Sequence, residues 1–331
     1  MTGRAMATEA ERGHHRTGSG MLGVRVEVVR GGRVESVHHV DAAVRTPDDG
    51  ELVRAGAPDE SVFTRSAIKP LQALPLVEDG VVERFGLTAE QLAVCCASHS
   101  GEPRHVDVVQ SILDRIGVDA ESLACGPHEP LGTDAARSLR SAGGGPDRRH
   151  NNCSGKHAGM LALALAHGWP TADYHREGHP VQERVREVLE QWTGRNGSEL
   201  AMAVDGCGVV TFAFPLTALA GAYARLARAA QEPGSAAARV LGSMAAYPEM
   251  VAGSGRLCTR LLEVTAGRIV AKVGAEGVYA AAVLDRPLGI AVKVRDGARR
   301  ASEVGLLALL TELGLLAPGE REALGRWARP A

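Results

Sequence analysis

The sequence predicts an α+β protein: an antiparallel sheet formed from N- and C-terminal strands, packed with helices from the middle of the chain. Two observations predict it. Apolar residues recur with period two near both ends and with the helical period between them. The separators between the C-terminal strands are also too short to join anything but antiparallel neighbours. In order, residues 22–30 alternate apolar and polar, break at Gly31-Gly32 and resume through 40, which reads as a hairpin. From about 66 to 245 the pattern is mostly helical. Thr88-Ala89-Glu90-Gln91 is a capping-box start, Pro103 opens an amphipathic run to Ile116, and 180–192 repeats such a pattern. Residues 267–273, 277–284 and 288–295 read as three short strands, and a helix over 297–313 follows. No repeat or low-complexity linker divides the chain. A mobile extension over 1–20 and a single domain over 21–331 are expected.

Composition narrows the function. The net charge of −2 over 331 residues argues against an electrostatic nucleic-acid binder. No apolar run reaches the length of a membrane helix; the nearest, Val209 to Ala224, contains Pro215. The first twenty residues are polar and lack the apolar core of a signal peptide. Six cysteines are too few for a disulfide scaffold at this length, so a cytoplasmic protein is expected.

Lysine is scarce, and that makes it informative. Only four occur, at 69, 156, 272 and 293, in a chain that otherwise uses arginine for positive charge. An ammonium can lose its proton when desolvated, whereas a guanidinium effectively cannot. Three of the four lie in compact polar motifs, and Lys293 reads as an ordinary surface residue. Ser66-Ala67-Ile68-Lys69 is followed by Pro70, which is best tolerated in a first helical turn. That places Ser66 and Lys69 on one face at a helix start, where a neutral Lys69 would take the proton of Ser66. A serine cap beside a solvated lysine would show the same spacing. Ser98, in Ala97-Ser98-His99-Ser100, offers a second hydroxyl, and Lys272-Val273-Gly274 ends a predicted strand. The order S-x-x-K, serine, K-x-G matches the serine acyl-transferase plan of β-lactamases and penicillin-binding proteins.

A second cluster is His150-Asn151-Asn152-Cys153-Ser154-Gly155-Lys156-His157, at the start of another helix. Cys153 and Lys156 share a face, and Asp205-Gly206-Cys207-Gly208 offers a second thiol in a small-residue loop. Two thiolates and a third ligand suit zinc, but free buried cysteines or a redox pair fit the spacing equally.

Together these motifs resemble the asparaginase II family, the serine-dependent, zinc-binding L-asparaginases of rhizobial type. The matching text is 65–72, 96–99, 125–128, 150–157, 205–208 and 272–277, within a likeness spanning about 22–315. The resemblance implies a β-lactamase-like fold, a single catalytic domain and hydrolysis of L-asparagine to L-aspartate and ammonia. It implies that Ser66 with Lys69, and Ser98 with Lys272, are two catalytic pairs. It further implies that Arg65 and His157 line the substrate pocket, that Cys153, Lys156 and Cys207 bind zinc, and that the protein is a homodimer. The alternatives are a glutaminase, a β-lactam- or peptide-directed Ser-Lys acyl transferase, and a non-catalytic amino-acid-binding protein.

Overall fold

The computed structural model describes residues 2–4 and 24–329. Ten strands are labelled in chain order: β1 (Thr2–Arg4), β2 (Val24–Arg30), β3 (Arg33–Arg45), β4 (Glu51–Ala55), β5 (Ser61–Phe63), β6 (Ala201–Val204), β7 (Val210–Pro215), β8 (Ile269–Val273), β9 (Val278–Val283) and β10 (Leu288–Val294). The main sheet has the order β1-β2-β3-β10-β9-β8, with β4 also paired to β3, and every pairing is antiparallel. β3 joins the two ends of the chain. Its first part pairs with β2, and its last part lies between β4 and β10, with Val40 opposite Val294 and Arg45 opposite Gly289. The expected assembly from N- and C-terminal strands is therefore present. Of the expected mobile extension, Thr2–Arg4 pair with Glu27–Val29 and the remainder lies outside the described residues.

The sheet is covered on both faces, which explains why β8 and β9 are buried throughout instead of alternating. The helix Leu216–Ala229 packs against β3, β9 and β10 on one side, and the helix Arg299–Glu312 packs against β2, β3, β9 and β10 on the other. Small residues let these layers approach. A Cβ at Gly289 would lie 1.8 Å from the Ala220 carbonyl oxygen, and one at Gly305 would lie 3.3 Å from Val40 Cγ1. Lys293 differs from expectation. It is half-buried, and its amine donates to the Glu276 and Val294 carbonyls, because β10 is an interior strand of the sheet.

The helical middle is built as predicted at several points. Thr88 and Gln91 cap the helix Ala89–Cys95 reciprocally, and the helix Pro103–Ile116 begins at its proline. Two strands in this region were not foreseen. β7 lies between β5 and β6 in a second, three-stranded sheet. The apolar run 209–224 thus divides at Pro215 into a strand and the helix that follows. Its β-branched and aromatic residues, Val210-Thr211-Phe212-Ala213-Phe214, fit a pleated surface better than a helix.

Candidate active site

Four segments meet at one place, and glycines let them do so. The first is the turn that follows β5. Thr64 is buried and clamped to β7, its N–H and hydroxyl both donating to the Phe212 carbonyl at 3.0 and 2.9 Å. Arg65 then adopts φ +50°, a left-handed conformation costly for a residue with a Cβ. The chain continues as a 3-10 turn over Arg65–Ile68 and the α-helix Lys69–Glu78, with Pro70 in its first turn. Ser66 and Lys69 therefore occupy the helix start, as the proline predicts.

The second segment is the end of β8. A Cβ at Gly274 would meet the Thr64 carbonyl oxygen at 2.9 Å and the Ala67 nitrogen at 3.3 Å, so only glycine allows this close approach to the Ser66 turn. The third and fourth are the loop after Ala89–Cys95, which carries Ser98, and the start of the helix Ser154–His167. A Cβ at Gly155 would lie 2.2 Å from the Val94 carbonyl oxygen, which brings the two helices into backbone contact. His99 ties them further. Its Nδ1 accepts from the Gly101 N–H at 3.1 Å, so Nε2 carries the proton and donates to Ser154 Oγ at 2.8 Å.

Ser98 is the centre of the polar cluster, with 4% of its surface exposed. Lys272 lies 2.7 Å from Ser98 Oγ, and Lys69 lies 3.2 Å from it on the other side. Lys69 also donates to the Ala97 carbonyl and, at 3.1 Å, to Cys153 Sγ. Three acceptors match the three N–H groups of an ammonium. Lys272 is fully buried and is pushed down to about 7, first by burial and then by the neighbouring charge of Lys69. Lys272 is thus the amine that is free to be neutral. Ser98 can accept a hydrogen bond from Lys69 and donate to Lys272. No hydrogen bond joins Lys69 to Ser66 among the described residues; Ser66 is half-exposed, and its side chain makes none.

The predicted zinc ligands converge as well. Lys156 donates to Cys207 Sγ at 3.1 Å, and the Cys153 and Cys207 thiols are close enough to act on each other. The Cys207 sulfur and burial raise Cys153; Cys153 in turn lowers Cys207, with the Lys156 charge helping against burial. Lys156 is raised in turn, since the two sulfurs outweigh its burial. Two soft thiols and an amine in one buried cluster form a donor set that fits zinc. No group of three His, Cys, Asp or Glu side chains that could hold a metal occurs among the described residues, so Lys156 would have to be the third ligand.

His157 is fully buried, with Nδ1 2.6 Å from the Tyr174 hydroxyl. That hydroxyl accepts from the Ala124 N–H at 2.9 Å and so gives its own proton to His157. The ring is neutral, driven well below its ordinary range by burial and by Lys156, and its Nε2–H has no described partner. Arg65 Nε donates to Asp205 Oδ1 at 2.7 Å. Burial pushes the Asp205 carboxyl up, but the charges of Lys156 and Arg65 outweigh it and hold the group low. Sequence reasoning missed Asp205 and Tyr174. In the loop 205–208 the thiol is the conspicuous group, and nothing local marks Tyr174 as the partner of a histidine seventeen residues earlier.

Residues 26–331 match the L-asparaginase II family. The chain belongs to that family. No curated protein matches it significantly. Among solved structures it is similar to two of a protein named Mglu, each at 17% identity with a TM-score of 0.45. These alignments cover 82% and 84% of this chain and 66% and 61% of the Mglu chains, so the family member described here spans less than two thirds of their length. A β-lactamase from Mycobacterium bovis is similar at 13% identity and a TM-score of 0.32, over 78% of this chain and 88% of that one. No helix among the described residues is long and apolar enough to cross a membrane.

Proposed function

We propose that this chain is an amidohydrolase that converts L-asparagine to L-aspartate and ammonia through a serine acyl-enzyme. The observation that carries the reading is a serine hydroxyl held between two lysine amines, one of them with a pKa of about 7. Ser66, half-exposed at the helix start, is the hydroxyl a substrate carbonyl can reach. It attacks the side-chain amide carbon. Its proton enters the Ser98–Lys272 pair, with Lys272 as the base, kept neutral by burial and by its neighbour Lys69. The relay returns the proton to the departing ammonia. Water then cleaves the aspartyl ester by the same path in reverse. Arg65 and His157 bind the substrate. Zinc, when bound, would be held by Cys153, Lys156 and Cys207 and would supply a positive charge that orients the substrate. The active form is a cytoplasmic homodimer.

One observation favours a second assignment of the nucleophile: Ser98, and not Ser66, makes the hydrogen bonds to both amines. Trapping the acyl-enzyme and locating it by peptide mass spectrometry separates the two serines. The activity itself is tested by ammonia release from L-asparagine and L-glutamine, beside nitrocefin hydrolysis. Asparagine is expected to be the preferred substrate. Binding without ammonia release, or hydrolysis of nitrocefin alone, would overturn the reading.

A further inference from the structure

Half-buried arginines in this molecule are generally matched by carboxylates. Arg184 faces Glu78 and Asp79, Arg65 faces Asp205, and Arg268 faces Glu320. Arg256 is different. It immediately precedes the helix Leu257–Val264, is half-buried, and makes no ion pair among the described residues. Its contacts are the Ser98 carbonyl and the Ser100 hydroxyl, each at a long 3.5 Å. Glu303, a nearby acid that favours its charge, is taken by Arg299 at 3.2 Å. Removing a guanidinium from water without an anion is unfavourable, and the fork of N–H groups is shaped for a carboxylate.

The position is built. The segment 251–256 is stitched to the loop that carries Ser98. The Ser98 N–H donates to the Val251 carbonyl at 3.0 Å, Ser100 Oγ to the Ala252 carbonyl at 2.8 Å, and the Ser254 N–H to Glu102 Oε1 at 2.7 Å. Gly253 has φ +109°, and a Cβ there would lie 2.7 Å from both Glu102 Oε1 and Ser100 Oγ, so the approach needs glycine. Arg256 is also close enough to the lysine pair for its charge to act on Lys272.

We propose that Arg256 is the receptor for the substrate's carboxylate and thereby selects amino-acid amides over simple amides. The inference rests on the amidohydrolase reading, because it places a carboxylate beside the Ser98 loop, next to the serine–lysine cluster that relays the proton of the attack on the amide. In L-asparagine only two carbons separate those groups, so the receptor has to lie next to the serines.

The test compares L-asparagine with 3-aminopropanamide, which keeps the amine and the amide but lacks the carboxylate. Arg256→Gln is expected to lower kcat/KM for L-asparagine by about 10- to 100-fold, mainly through KM. Turnover of 3-aminopropanamide should fall much less, and only through the weaker lowering of Lys272, and Arg256→Lys should recover part of the loss. Equal losses on both substrates, or no loss on L-asparagine, would overturn the proposal. Calorimetric binding of L-aspartate separates it from the activity. If the wild type releases no ammonia from any amide yet binds L-aspartate in an Arg256-dependent way, the receptor stands and the reaction does not. Equal L-aspartate binding by wild type and Arg256→Gln removes the receptor whatever the turnover.

Discussion

Lys272 is the residue on which the chemistry turns. Its amine is lowered to about 7 by burial and by Lys69, so it is neutral above that pH and charged below it. A base must be neutral to accept a proton, so kcat/KM is expected to fall as pH drops through about 7. Lys272→Met should lower kcat by about 10²- to 10⁴-fold and abolish that limb of the profile. A pH profile that keeps its limb in the variant would remove Lys272 as the base. Lys69→Met predicts a different signature. Loss of the neighbouring charge lets Lys272 hold its proton more tightly, so any residual activity should require higher pH. Motif spacing marked both lysines as candidates. It could not assign their roles, because the two hundred residues between them hide that their amines share one hydroxyl.

Among elements, the crossing of Ala89–Cys95 with Ser154–His167 decides whether the site assembles. Gly155→Ala would press a methyl group into the Val94 carbonyl, 2.2 Å away, and backbone cannot move aside cheaply. We expect a loss of about 3 kcal/mol in urea unfolding, at the upper end for overpacking. Gly242→Ala provides the contrast. That glycine lies within the helix Ala236–Ala246, and nothing is within 4 Å of the added carbon. A gain of about 0.5–1 kcal/mol is expected there from helix propensity alone. Local signals made many elements readable in sequence: the Thr88–Gln91 box, Pro103, and the tight turns between β8, β9 and β10. They did not reveal β6 and β7, because those strands are stabilised by pairing with each other and with β5, far away in sequence. The full burial of β8 and β9 was hidden for the same reason: a second layer of helices, not the strands themselves, covers the outer face.

For the whole molecule, two proposals can be checked on purified protein. Light scattering should report the mass of two chains. Metal analysis should find zinc, lost in both Cys153→Ser and Cys207→Ser; fully active protein without metal would exclude a functional role for it. The Lys156 contact with Cys207 has a further consequence. Small zinc domains collapse when chelated, because deprotonated sulfurs are left facing one another with no cation between them. Here the chain supplies its own counter-ion to that pair. EDTA should therefore leave the circular dichroism spectrum and the melting temperature nearly as they were, while any effect on turnover is read separately. Evolution could then adjust metal affinity at this position without endangering the scaffold, since the architecture does not depend on the ion for its charge balance.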